Sequence, residues 1–214
     1  MSGAQRRRQL LDVGRALFAE KGYDAASIEE LAQRADVSKP VVYEHFGGKE
    51  GIYAVIVDRE VQHLTTLLTT AIETGGHPRT IVERTALALL GYIETSPDGF
   101  RILLGESPAQ RGAGMYSGLL GDVAAEVEQL LARHFERRHY ESAWAAVYAQ
   151  MLVGLVAQVG QWWLDDRVLT KEQVATHVVN LTWNGLVALE RHPQAPSGEG
   201  AGPGEAPGRN LDVE

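Results

Sequence analysis

The sequence predicts an all-α protein of about nine helices, an N-terminal three-helix helix-turn-helix domain followed by a C-terminal helical domain. Three observations carry that expectation. Apolar residues recur every three or four positions through most of the chain. No stretch alternates apolar and polar residues for long enough to build a strand. Helix punctuation is frequent, with Ser or Thr ahead of the periodic runs and Gly or Pro behind them.

The first helix is expected from Gln5 to Lys21, burying Leu10, Val13, Leu17 and Phe18, with Gly22 as a left-handed residue past its last turn. Ser27 with Glu30 three residues on forms a capping-box pattern. It opens a second helix whose apolar face is Ile28, Leu31, Ala32 and Ala35. Asp36-Val37 makes a tight turn. Ser38 caps a third, very short helix with Pro40 in its first turn, where a missing N–H costs nothing, and Gly47-Gly48 ends it. A long helix runs from Lys49 to Thr74 on the stripe Ile52, Val55, Ile56, Val61, Leu64, Leu68 and Ile72. Further helices are expected over Pro78 to Glu94, from Ser96-Pro97 through Leu104, over Met115 to Arg138, over Glu141 to Asp165 and over Lys171 to Arg191, with a loop at Gln110 to Gly114. The expected boundaries are a helix-turn-helix domain at residues 1–48, a ligand-binding and dimerisation domain at 49–191, and a disordered Pro/Gly/Glu-rich tail at 192–214.

Hydrophobic residues make up 44% of the chain, a globular rather than a disordered composition. The absence of cysteine excludes a disulfide framework, a thiolate zinc site and a cysteine nucleophile. The scattered histidines lack ligand partners at helical spacing, so neither a metal site nor a cofactor is expected. Met1 to Arg8 is polar and basic with no apolar core, which predicts a cytoplasmic protein. The net charge of −8 is unevenly spread. Residues through Glu50 hold eight Lys/Arg and eight Asp/Glu, the remainder twelve and twenty, so the acidity lies outside the first three helices. Acidic residues such as Asp12, Glu20, Glu29 and Glu30 are expected to face away from any DNA. The stretch from Ala143 to Trp163 is long and apolar enough to span a bilayer. Gln150, Gly154, Gln158 and Gln161 stripe one side of it, which argues for an amphipathic helix packed in protein and against a membrane span.

A helix as short as Ser38 to Phe46 has little stability of its own. Val37 plugs the turn before it, and Val42 and Phe46, four apart, pin it to the core. Lys39, Pro40, Val41, Tyr43, Glu44 and His45 are left outward to varying degrees. A hydroxyl, a cation, a phenol and an imidazole on one short helix suit a DNA groove and its phosphates. Ser27 and Ser38 sit at helix starts, where hydroxyls and backbone N–H groups hold phosphate. Lys49 opens the long helix and is placed for another phosphate.

Gly22-Tyr23, Ser27-Ile28-Glu29-Glu30-Leu31-Ala32 and the unbroken run from Ala35 to Glu50 resemble the TetR family of one-component transcription regulators. The resemblance implies that Tyr43 and Lys49 bind phosphates with help from Ser27 and Ser38. It places Lys39, Pro40, Val41 and His45 nearest the bases, with Val41 able to touch a thymine methyl. Glu44 either accepts from a cytosine amine or points to solvent. Arg6, Arg7 and Arg8 are expected as an arm along the backbone or in the minor groove, or else as a solvated terminus. Gly48 departs from the family's usual Ser, Asn or Asp cap, and glycine still serves there.

The resemblance also implies a homodimer on a palindromic double-stranded operator and an effector that alters DNA affinity, with no enzymatic activity. The last two helices are the expected dimer surface, through Trp144, Val147, Met151, Leu152, Leu155 and Val156 on one and Val174, His177, Val178, Leu181, Gly185 and Ala188 on the other. A small apolar effector is expected among Tyr92, Phe100, Leu103, Leu104, Met115, Tyr116, Leu120, Val123, Val127, Tyr148, Gln158, Trp162 and Trp163. Asp98 to Leu103, Gln161 to Asp165 and Asn180 to Leu186 are similar to acyl-CoA-responsive regulators of fatty acid synthase genes, which implies long-chain acyl-CoA as that effector. Whether binding represses or activates depends on operator position. Two other classes remain: an enzyme with an accessory DNA-binding domain, which would need a nucleophile–base pattern that the later helices lack, and a sequence-tolerant architectural DNA binder, which the acidic body disfavours.

Overall fold

The computed structural model describes residues 2–104 and 115–189, with residues 115–120 and 122 described by their backbone alone. Every regular element among the described residues is helical. In order these are α1 (Gly3–Ala25), α2 (Ile28–Arg34), α3 (Lys39–Phe46), α4 (Lys49–Glu73), α5 (Pro78–Thr95), α6 (Pro97–Leu104), α7 (Met115–Arg137), α8 (Ala145–Asp165) and α9 (Lys171–Val187). Helix α9 ends at Val187, short of the expected Arg191, with Ala188 as its C-cap. The expected loop at Gln110 to Gly114 and the tail at 192–214 lie outside the described residues.

Helix α1 begins two residues earlier than its apolar pattern, because Ser2 and Gln5 close a reciprocal capping box. Gly22 breaks it with φ 75°, as expected, but its ψ of 171° sends the chain outward in place of a left-handed cap. Ser27 Oγ accepts from Glu30 N at 3.2 Å. The return half of that box is missing because the Glu30 carboxylate is taken by Lys21 at 2.8 Å and Arg34 at 2.7 Å. Ser38 holds the N-cap position of α3 with no side-chain capping bond, so its hydroxyl remains available for another partner. Asp36 turns the chain between α2 and α3 at φ 53°, a conformation Asp tolerates better than most residues. Helix α8 starts later than expected, behind a 3-10 turn at Ser142–Trp144.

The head forms where α1, α2 and α3 close on the start of α4. Leu10, Leu17, Leu31, Val42 and Ile52 are all but fully buried there. Gly51 lets α4 begin directly against the end of α3, since a Cβ at that position would lie 1.9 Å from the Phe46 carbonyl oxygen. The same helix then leaves the head, and its far half packs on α5 and α7. One continuous apolar cluster therefore runs through both halves, with α6 wedged between α1 and α4. Residues 142–165 are long and apolar enough to cross a membrane by length and composition. One side of that segment buries Ala145, Ala149, Ala157, Gly160, Trp163 and Leu164, and the amide stripe of Gln150, Gln158 and Gln161 lies on the exposed side.

Candidate nucleic-acid interface and effector cavity

Helix α3 divides as its spacing predicts. Val42 is fully buried and anchors it, and Tyr43 is 53% exposed on another face. Lys39, Pro40 and Glu44 are exposed, and Val41 and His45 are partly so. These six side chains, with the unused Ser38 hydroxyl, give one outward surface of mixed donors, acceptors and methyl groups, the chemistry that base edges and phosphates require.

Several charged residues hold partners that the sequence does not announce. Lys39 is ion-paired with Glu29, which brings an acid beside the outward surface of α3. The Lys39 ammonium holds the Glu29 carboxyl below the ordinary range. Lys49 donates to the Asp24 carbonyl at 3.0 Å and lies 4.5 Å from the Tyr23 ring centroid, which tethers it at the first turn of α4. The three arginines form no arm, since all lie within capped α1. Arg7 donates to the His45 carbonyl at 2.9 Å with its guanidinium 4.4 Å from the centre of the Phe46 ring. A cation there offsets the negative end of the α3 dipole and covers an aromatic face, so Arg7 holds the recognition helix in place. Arg6 bonds Gln9 at 2.7 Å, and Arg8 is exposed.

Behind the head, the far half of α4 with α5, α7, α8 and α9 encloses a cavity of about 290 Å³. Its walls are mostly aliphatic, built from Leu64, Leu68 and Ile72 of α4, Ile81, Ala86 and Leu89 of α5, Val123, Val127 and Leu130 of α7, and Leu152, Val153 and Val156 of α8. Phe100 and Trp183 complete it. Of the expected effector residues, Phe100, Val123 and Val127 line this space. Tyr92, Leu103 and Trp163 are buried outside it, Leu104 and Tyr148 are half-buried away from it, and Gln158 and Trp162 are exposed. The side chains of Met115, Tyr116 and Leu120 lie outside the described residues. Two of the aromatic residues are engaged elsewhere in the core: Trp163 Nε1 donates to the Leu169 carbonyl at 2.8 Å, and the Tyr148 ring packs edge-on against Phe135. Leu152 and Val156, expected on the dimer surface, face the cavity, and Val174 and Val178 are buried in the chain's own core.

Tyr92 belongs to a buried polar node between the two halves. Its hydroxyl donates to Glu60 Oε2 at 2.6 Å, and Glu60 Oε1 lies 2.7 Å from Arg15 Nε of α1. Burial, with the adjoining Glu60 carboxylate, pushes the Tyr92 phenol far above its ordinary value. Gly99 of α6 is pressed against this pair, and a Cβ there would lie 2.1 Å from Glu60 Oε2. The signal for Glu60 was present in the sequence, as an acid at helical spacing between Ile56 and Leu64 on an apolar stripe.

Comparison with known proteins agrees with this geometry. Residues 10–56 match the family described as bacterial regulatory proteins, tetR family, and residues 67–198 match the tetracyclin repressor-like C-terminal domain. The chain is 30% identical over 187 residues to the HTH-type transcriptional activator FasR of Mycolicibacterium smegmatis, covering 85% of this chain and 83% of that protein. A TetR-like regulator from Rhodococcus sp. RHA1 superposes with a TM-score of 0.71 at 23% identity, over 88% of this chain and all of that one. The fatty acid degradation regulator FadR of Bacillus halodurans shares the fold with a TM-score of 0.69 at 16% identity, over 85% of this chain and 96% of that one. With the recognition helix at one end and the aliphatic cavity behind it, the chain belongs to the TetR family, whose members are DNA-binding transcription regulators and not enzymes.

Proposed function

We propose that the chain is a cytoplasmic, effector-responsive regulator that binds a palindromic operator as a homodimer and takes long-chain acyl-CoA as its effector. The observation that carries this reading is the aliphatic cavity between α4, α5, α7, α8 and α9, which suits an acyl chain. The identity to FasR and the earlier likeness at Asp98 to Leu103 support an acyl ligand. Dimerisation is supported by the outward stripe of α8 and α9, where Met151 is 61% and Leu181 65% exposed. At the DNA surface, Tyr43, Lys49, Ser27, Ser38 and Arg8 take phosphates, and Lys39, Pro40, Val41 and His45 lie at the bases. Ligand in the cavity shifts the far half of α4, and the recognition helices at its near end change separation. Palmitoyl-CoA is expected to raise the melting temperature where free CoA does not, and to change operator affinity by about 5–150-fold, the span of an ordinary allosteric coupling. Melting and fluorescence anisotropy on operator DNA measure both. Palmitoyl-CoA and operator binding with no mutual effect would overturn the proposal.

A further inference from the structure

The effector cavity is apolar along its walls but not at its edge. Arg133, His134 and Arg137 on the last two turns of α7, and Arg138 just past its end, line it. No Asp or Glu does. In a chain of net charge −8, this is a local excess of three positive charges with histidine neutral. The three arginines are exposed, and none has an ion pair or side-chain hydrogen bond among the described residues. Cations are favoured at a helix C-terminus, which accounts for their position on α7. It does not account for their bordering an aliphatic cavity whose lining holds no carboxylate.

The edge also has a direction. Gly76 and Pro78, just past the end of α4, border the cavity alongside the arginines. Helix α4 has 25 residues and is about 37 Å long, so this end lies roughly that far from the recognition helix. Phe100, on the α6 that packs against α1, stands at the other side of the cavity wall.

We propose that Arg133, Arg137 and Arg138 form an anion-binding mouth at the DNA-distal end of the cavity, which holds the charged head of an amphiphilic effector while its chain points inward toward Phe100. This rests on the reading of the cavity as the effector site and adds to it the head-group chemistry and the orientation of the ligand. Guanidinium groups suit both carboxylate and phosphate oxygens, so a fatty acid and an acyl thioester of a phosphorylated carrier present the same chemistry here. His134 supplies an internal reporter. Burial, with Arg138, Arg137 and His77 around it, holds its imidazole below the ordinary range. An anion seated at the mouth offsets those charges and raises it.

The test compares palmitoyl-CoA, palmitate and uncharged methyl palmitate on the wild-type dimer and on a variant carrying Arg133→Gln, Arg137→Gln and Arg138→Gln. The variant is expected to lose about tenfold or more in affinity for the charged ligands, the worth of a single charge-assisted hydrogen bond. Its affinity for methyl palmitate is expected to stay unchanged, which also shows that the cavity is still folded. Loss for both charged ligands supports a mouth for any anionic head, and loss for palmitoyl-CoA alone supports one for phosphates. In the wild type, the His134 imidazole resonances should titrate at higher pH once palmitoyl-CoA is bound. Equal affinity of variant and wild type for both charged ligands would overturn the mouth and leave the acyl effector standing. Failure of the wild type to bind any of the three would overturn the acyl effector, and this proposal with it.

Discussion

Lys39 forms an ion pair with Glu29 at the head of the recognition helix, so any phosphate or base that takes the ammonium must displace a carboxylate. The competition opposes the contact proposed for Lys39 at the bases. Glu29→Gln is therefore expected to raise affinity for operator by about 2–5-fold, the range of an exposed ion pair, and for unrelated DNA by less, with the gain fading as salt rises. Anisotropy titrations at several salt concentrations check it, and an unchanged affinity for both DNAs would show that Lys39 stays clear of the nucleic acid. The neighbouring contacts show how far single residues could be read in advance. The separation of Val42 from Tyr43 follows from helical phase alone, and the structure places them accordingly. The role of Arg7 does not follow, because its two partners, the His45 carbonyl and the Phe46 ring, lie 38 or more residues away in the chain. A basic N-terminus reads as a loose arm until the recognition helix is known to end beside it.

Helix α4 is the element that joins the head to the cavity. Its first turns carry Ile52 and Ile56 into the head, its last carry Leu64, Leu68 and Ile72 to the cavity, and Glu60 sits between them. Through Glu60 it is tied to Arg15 of α1 and to Tyr92 of α5, with Gly99 of α6 against both. Under the proposed function, movement of α5 or α6 around a ligand would reach α1 through a hydrogen bond and an ion pair held in a poorly solvated interior. Tyr92→Phe keeps the ring packing against Phe100 and removes only the hydroxyl. It is expected to cost about 1–3 kcal/mol of stability, since a buried carboxylate loses a donor. It should also shrink the ratio of operator affinities with and without palmitoyl-CoA. Equal ratios in variant and wild type, with only the melting temperature lowered, would make the node structural alone. At this scale the helices themselves were legible, because periodicity and capping are local properties. The cavity was legible only in part. Periodicity says which side of a helix faces inward but not which inward residues meet empty space, so Leu64, Leu68 and Ile72 read as plain core and Tyr92 and Trp163 as ligand wall. The basic run at the end of α7 was the overlooked clue, as cations next to inward-facing Leu130 and Leu131.

For the whole molecule, the decisive surface is the one that the chain leaves uncovered. Among the described residues the large exposed apolar side chains are Tyr43, Trp144, Val147, Met151, Trp162, Val168, Leu181 and Val187. All but Tyr43 and Val168 lie on α8, α9 or the 3-10 turn that leads into α8. Trp144, Val147 and Met151 follow one another at spacings of three and four, with Gly154 next in phase, and Leu181 and Gly185 on α9 with Ala188 at its C-cap continue the pattern. A contiguous apolar face of this kind marks an interaction surface, and a two-fold axis through it would pair α8 and α9 with their symmetry mates in a four-helix contact. Half-sites one helical turn apart, about 34–36 Å or a multiple, set the separation at which such a dimer would have to hold its two recognition helices. A charge buried at the centre of such a contact has no partner, and symmetry places it there twice. The double substitution Met151→Glu with Leu181→Glu is therefore expected to shift the protein in light scattering from twice 23.3 kDa to the single-chain mass. Both positions are exposed in the single chain, so its helicity by circular dichroism should be retained. Operator affinity should fall by about a hundredfold or more, because two linked heads bind with an advantage of ~10²–10⁴ over one. A variant that remains dimeric and binds operator at wild-type strength would place the interface elsewhere on the molecule.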